Sequence, residues 1–230
     1  MIPEIGHFAL ILAMLLAALQ SAFGLLGPRS RDPRYVDALP FAVAGQFVFT
    51  LLAMGCLAKA FIDYDFSVKY VAENANSALP LFFRIAAMWG AHEGSLLLWI
   101  FVLSIWTVAV TLRSRALPRS FMARVLGVLG LLSLGFLLFT LATSNPFMRL
   151  DPPPPDGRDL NPLLQDFALA VHPPMLYTGY VGLSVAFAFA CAAMIEGRLD
   201  FVLVEVTYCV FKFTVIGLSC ASTLFLLRNL

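Results

Sequence analysis

Three histidines and their neighbours are the residues of this chain whose types and spacing point to chemistry. His92 and Glu93 stand side by side in "WGAHEGSLLLW" (89–99), at the mouth of a long apolar run, and His172 opens "HPPMLYTGYVG" (172–182). Pro173 and Pro174 fix backbone angles directly after His172, while Tyr177 and Tyr180 stand one and two turns deeper. The result is an imidazole held at a rigid mouth of an apolar span. Two readings of it stand side by side: a helix cap beneath an interfacial belt of tyrosines, or a metal ligand, the role histidine fills most often at neutral pH. His92, Trp99 and Trp106 recur every seven residues and drift only ~20° per step on a helix, forming one stripe with Leu96 and Leu103. Such a stripe is either packing or the wall of a cofactor cavity. Glu93 favours the second, because ionisable groups within a span generally face a cavity or a partner rather than lipid. His7, near Glu4, reads as interfacial.

Other chemistries are excluded by what is missing from the pattern. Cys56, Cys191, Cys209 and Cys220 all fall in apolar runs and make no CxxC or CxxCH spacing, so neither a zinc cage nor a thiol-redox pair is legible. There is no nucleophile elbow, phosphate loop, HExxH motif or carboxylate pair. The formal net charge of +1 offers nothing to nucleic acid. From residues alone, the site that fits best is axial ligation of a haem presented from outside the membrane, with His172 as the ligand.

The elements that must position these residues are transmembrane helices. With 60% of residues hydrophobic and 13% charged, the chain lies far from the soluble norm of about 45–50% and about 25%. Its apolar stretches repeatedly reach the roughly 20 residues needed to cross about 30 Å of hydrocarbon. The pattern predicts an all-α polytopic bundle of about six spans, at 6–26, 39–62, 90–112, 122–143, 175–195 and 201–227. The first span, lacking the basic region of a cleaved signal, is expected to be retained. Two short loops hold seven arginines (Arg29, Arg31, Arg34, Arg113, Arg115, Arg119, Arg124), and the positive-inside bias places them in the cytoplasm. Segments 63–89 and 144–174, with His92 and His172 at their ends, then face outward. Residues 63–84, aromatic and amide-rich, are expected along the interface. In the second outer loop four prolines impose an extended stretch, and Asn161-Pro162 predicts a short helix ending near Asp166–Leu169.

Several stretches resemble one family throughout residues 1–200: "PEIG" (3–6), "DFSVKYVAENANSALP" (65–80), "WGAHEGSLLLW" (89–99), "TSNPF" (143–147), "GRDLNPLLQD" (157–166), "HPPMLYTGYVG" (172–182) and "GRLD" (197–200). They are similar, in order, to the N-terminal part of the cytochrome c maturation protein F family, the haem lyase subunit of cytochrome c assembly. The resemblance implies work at the outer face of a bacterial inner membrane, or of the mitochondrial inner membrane, with haem b received from a haem chaperone and joined to apocytochrome c. It also implies an axial haem ligand at His172, with His92, Glu93, Trp99 and Tyr177 lining the cavity, and other cytochrome c maturation subunits as partners. Family members are longer and carry a tryptophan-rich haem-handling loop and further histidines that are absent here. A C-terminal half bearing that loop is therefore an expected partner, docking on the His92–Trp99–Trp106 stripe, and the fragment alone is not expected to complete ligation. Residues 201–230 depart from the family pattern as an additional apolar span. A split gene product and a truncated frame both fit that departure. A purely structural membrane subunit without haem binding is the alternative function.

Overall fold

The computed structural model describes residues 1–30, 32–113 and 117–197. In chain order these form α1 (Ile2–Leu26), a 3-10 turn (Gly27–Arg29), α2 (Arg34–Asp37), α3 (Leu39–Ile62), α4 (Lys69–Asn74) and α5 (Leu81–Ala87). There follow α6 (His92–Arg113), α7 (Arg119–Thr143), a second 3-10 turn (Pro162–Leu164) and α8 (Phe167–Glu196). The fold is an all-α bundle, and the chain is a multi-pass membrane protein: five of its helical segments are long and apolar enough to cross a bilayer. In hydrocarbon each backbone polar group must be satisfied within its own segment, which a continuous helix does. The sixth expected span, 201–227, lies outside the described residues.

Helix starts follow local chemistry. Proline stands in the first turn of α1 and of α3 and immediately before α7, where its missing N–H costs no helical bond. Close packing then uses small residues. α1 runs antiparallel to both α3 and α7, because Gly6 lies against Cys56 of α3 and Phe147 just beyond α7, whereas Gly24 lies against Gly127. A Cβ on Gly24 would come within 2.4 Å of the Gly127 Cα, so the two backbones touch. α6 closes against α3 through a Thr50–Ser104 hydroxyl contact of 3.0 Å and the stacked rings of Phe47 and Phe101. Gln20 of α1, fully buried, donates to the Leu126 carbonyl at 2.7 Å. Arg124 and Glu196 form a largely buried ion pair, 2.9 Å long, between α7 and α8.

At the end opposite the arginine loops, segments 63–89 and 144–166 are folded together into a cap. Leu150 N–H donates to the Ser67 carbonyl at 2.8 Å, Lys69 N–H to Met148 at 2.8 Å and Arg158 N–H to Ala72 at 2.7 Å. Val68, Tyr70, Val71, Ala75, Leu79 and Leu160 are buried between them. Arg149 clasps Glu4 of α1 at 2.6 Å and Asp65 at 3.3 Å, and also reaches Ser67. His7 pairs with Asn145 at 2.8 Å. Paired amides and apolar side chains hidden inside a compact cap lie lower in free energy than the same residues spread on a surface.

Two expectations about the histidine region are corrected. The fifth span starts at Phe167 and not near 175, because the Asp166 carboxylate caps it by accepting from Leu169 N–H at 3.1 Å. Pro173 and Pro174 thus lie inside the helix. The short helix expected from Asn161 is only the 3-10 turn Pro162–Leu164.

Candidate functional site

The site is built where the segment entering α6 meets the first turns of α8. Only the first four N–H groups of a helix are free of intrahelical bonds, so prolines as deep as 173 and 174 leave the Leu169 and Ala170 carbonyls without their usual donors. The Trp89 indole Nε1–H donates to the Ala170 carbonyl at 2.9 Å. A side chain from the segment before α6 thus replaces the amide that Pro174 lacks. His172 lies, half-buried, within this reinforced turn.

Below it the aromatic stripe of α6 is closed by the same chain. The Trp99 ring meets Tyr177 and Tyr180 of α8 edge-on, both with centroids 5.4 Å away, and Phe136 of α7 at 5.5 Å. Trp106 Nε1–H donates to the Thr178 carbonyl at 3.0 Å, and the Thr178 hydroxyl donates to the Pro174 carbonyl at 2.8 Å. Of the stripe expected to receive a separate chain, Trp99 and Trp106 are thus engaged by α7 and α8, while His92 stays exposed. The physical reason is that each indole combines a large apolar body with one N–H donor: Trp99 finds aromatic edges on α8 and Trp106 finds a backbone carbonyl there.

The structure brings Trp99 and Tyr177 together, with His172 on the turn above. It sets His92 apart: exposed, it meets Phe139 of α7 edge-on at 6.1 Å. Glu93 is half-buried beside it. The residue that ties this region to the outer cap is Tyr70, which sequence reasoning missed. Its buried hydroxyl accepts from Ala91 N–H at 3.2 Å and lies 3.2 Å from the Ala87 and Met88 carbonyls. Burial, and after it the nearby Glu93 charge, push the Tyr70 phenol up, so it stays a neutral proton donor. Gly94 permits the arrangement, since a Cβ there would fall 1.7 Å from the Met88 carbonyl oxygen and 2.5 Å from the Tyr70 hydroxyl. Trp89, Tyr70 and Gly94 all belong to the motifs quoted above, but their pairing has no one-dimensional signature.

Among the described residues no three His, Cys, Asp or Glu side chains gather as for a bare metal ion. A macrocycle that already supplies four nitrogens asks the protein only for axial donors and an aromatic wall. His172 is half-buried, and Trp99, Tyr177 and Tyr180 form an aromatic cluster further along α8; these are the residues that could fill those two roles.

The family profile described as "Cytochrome C assembly protein" matches residues 89–224. The cytochrome c-type biogenesis protein CcmF of Pseudomonas aeruginosa is 59% identical over 201 residues, covering 87% of this chain and 31% of that protein. The protein of the same name from Escherichia coli is 51% identical over 208 residues, covering 87% and 31%. The cytochrome c-type biogenesis protein NrfE of Haemophilus influenzae is 47% identical over 204 residues, covering 86% and 31%. A solved structure, "Cytochrome c Heme Lyase CcmF", superposes with a TM-score of 0.85 at 28% identity, covering 96% of this chain and 35% of the other. The chain thus spans about a third of the length of the curated relatives it matches.

Proposed function

We propose, from the premise that the chain belongs to the cytochrome c assembly protein family, that it supplies the haem-receiving N-terminal part of a cytochrome c haem lyase. The substrate is haem b, taken from a haem chaperone and passed to apocytochrome c. His172 provides one axial imidazole, and the wall of Trp99, Tyr177 and Tyr180 packs beside the ring. Glu93, half-buried at the start of α6, is the further candidate for lining that space, while His92 lies apart against Phe139 of α7. What carries the reading is the reinforced turn at His172: two prolines remove backbone donors, and Trp89 restores one of them from the segment before α6. A turn that needed only to begin a span would not require such a brace.

The chain's own task in this reading is positional. A rigid imidazole holds the iron, and with it the macrocycle, in one orientation, and such preorganisation converts a chance encounter into a directed one. Ligation needs a second axial donor on the opposite face and a surface for the apocytochrome. Both are assigned to a C-terminal part with the tryptophan-rich loop, and other maturation subunits complete the assembly. The placement is a bacterial inner membrane with the cap periplasmic, a mitochondrial inner membrane being the equivalent. The arginine loops favour that orientation because basic loops resist translocation.

Single-cysteine labelling in intact cells tests the orientation. A cysteine placed at Asp156 should react with an impermeant reagent and one at Ser30 should not. The reverse pattern would put His172 on the wrong side to meet a periplasmic haem.

A further inference from the structure

A cleft of about 250 Å³ opens at the arginine-rich end, between α2 with the start of α3 on one side and α6 with α7 on the other. Its walls are apolar, formed by Val36, Leu39, Leu117, Met122 and Leu126, and its polar groups include Asp37 and Arg119. We propose that this cleft binds an anionic phospholipid, with part of an acyl chain against the apolar wall and the headgroup phosphate against Arg119.

Three observations converge on that occupant. Arg119 is the first residue of a candidate span and Arg113 the last of another, so the mouth lies at the level where lipid headgroups stand. The two loops at this end carry seven arginines against two acidic residues, Asp32 and Asp37, so the local field favours an anion. Of these arginines, Arg124 is taken by Glu196, while Arg29, Arg34, Arg113 and Arg119 are exposed. Arg119 reaches Asp37 at 3.5 Å, with the two side chains 85% and 60% exposed. An ion pair so exposed contributes little and yields readily to a phosphate, which accepts two parallel N–H bonds from one guanidinium. The apolar wall selects a lipid over a free phosphate, since only a lipid has a chain to place there. Basic clefts between spans are read in this way generally, at about 1 kcal/mol for each basic residue near the surface.

The test is native mass spectrometry of the full chain in detergent, titrated with phosphatidylglycerol, with phosphatidylcholine of the same acyl chains, and with glycerol phosphate. Phosphatidylglycerol should be retained in preference to phosphatidylcholine, and glycerol phosphate should not be retained. Arg119→Gln should weaken phosphatidylglycerol retention about five-fold, the factor that ~1 kcal/mol represents. Asp37→Asn should strengthen it, because the competing carboxylate is gone. Both positions are exposed, so neither change threatens the fold. Equal retention of the two lipids, indifference to Arg119→Gln, or capture of glycerol phosphate as tight as that of the lipid would each overturn the proposal.

Discussion

The two ends of this bundle are closed by different physics. At the cap, segments far apart in sequence exchange backbone hydrogen bonds, and glycines admit contacts that no other residue allows: a Cβ on Gly157 would fall 1.9 Å from the Ala75 carbonyl oxygen. At the arginine end the loops are short, a cleft stays open, and the exposed Arg119–Asp37 pair spans part of its rim. The cap is exact where the other end is merely charged. On the proposed reading, an imidazole that holds a ligand in one orientation requires fixed geometry, while a topological signal and the proposed lipid contact require only the sign of a charge.

The largest effect that would sharpen this contrast is loss of function at His172. With a C-terminal part supplied in the same strain, His172→Ala should abolish covalent haem staining of cytochrome c while leaving the protein at normal levels in the membrane. Equal staining of variant and parent would remove His172 from the site. His7→Ala should keep haem attachment and cost only about 1 kcal/mol of stability through the lost Asn145 contact.

Next in size are the glycines of the cap. Gly94→Ala should destabilise the protein by roughly 3 kcal/mol or more, read as a large fall in thermal midpoint in detergent, because Met88 and Tyr70 leave no room for a methyl group. Gly55→Ala in α3, where an added Cβ meets nothing within 4 Å, should be neutral or slightly stabilising. If the two changes had the same effect, the claim of an exactly fitted cap would fail.

A smaller loss is expected from Trp89→Phe, which keeps the ring but removes the donor to Ala170. Leaving that carbonyl unpaired should cost about 1–3 kcal/mol and broaden the environment of His172, visible as weaker retention of added haem. An unchanged haem spectrum would mean that the brace has no bearing on the ligand.

The smallest effect is an acid dependence of the cap. Ser77 donates to the exposed Asp156 carboxylate from both hydroxyl and amide, which holds its pKa below the ordinary carboxylate value. Its contribution to stability is therefore fully present above the unfolded-state pKa and is lost as pH falls through the lower folded-state value. Asp156→Asn should shallow the acid limb of a stability profile below about pH 4 and leave neutral pH nearly untouched. An identical profile in the variant would show that the contact does not couple to folding.

Much of this was legible without coordinates, for reasons that particular residues make plain. The helix at 39–62 is legible because Pro40 suits a first turn and the apolar run stops at Asp63. The fifth span was misplaced because two consecutive prolines read as a start, when Asp166 further upstream had already capped the helix. His172 stood out by its neighbours, whereas Tyr70 looked like any interfacial aromatic until Ala91 and Met88 were seen around its hydroxyl.

By itself the sequence determined the class of the molecule, the number of its crossings in the described chain and the arginine asymmetry, and it singled out His172 as a candidate ligand. These depend on local quantities, namely hydropathy over one span, the charge of one loop and the backbone limits of one proline. Tertiary structure alone decided that Trp89 would brace the turn of His172, that Trp99 and Trp106 would be covered by α8, and that Gly94 would admit Tyr70 beneath the cap. Such contacts join residues 21 to 81 positions apart, and their partners are chosen by mutual shape and by unpaired backbone groups that appear only once the helices have packed.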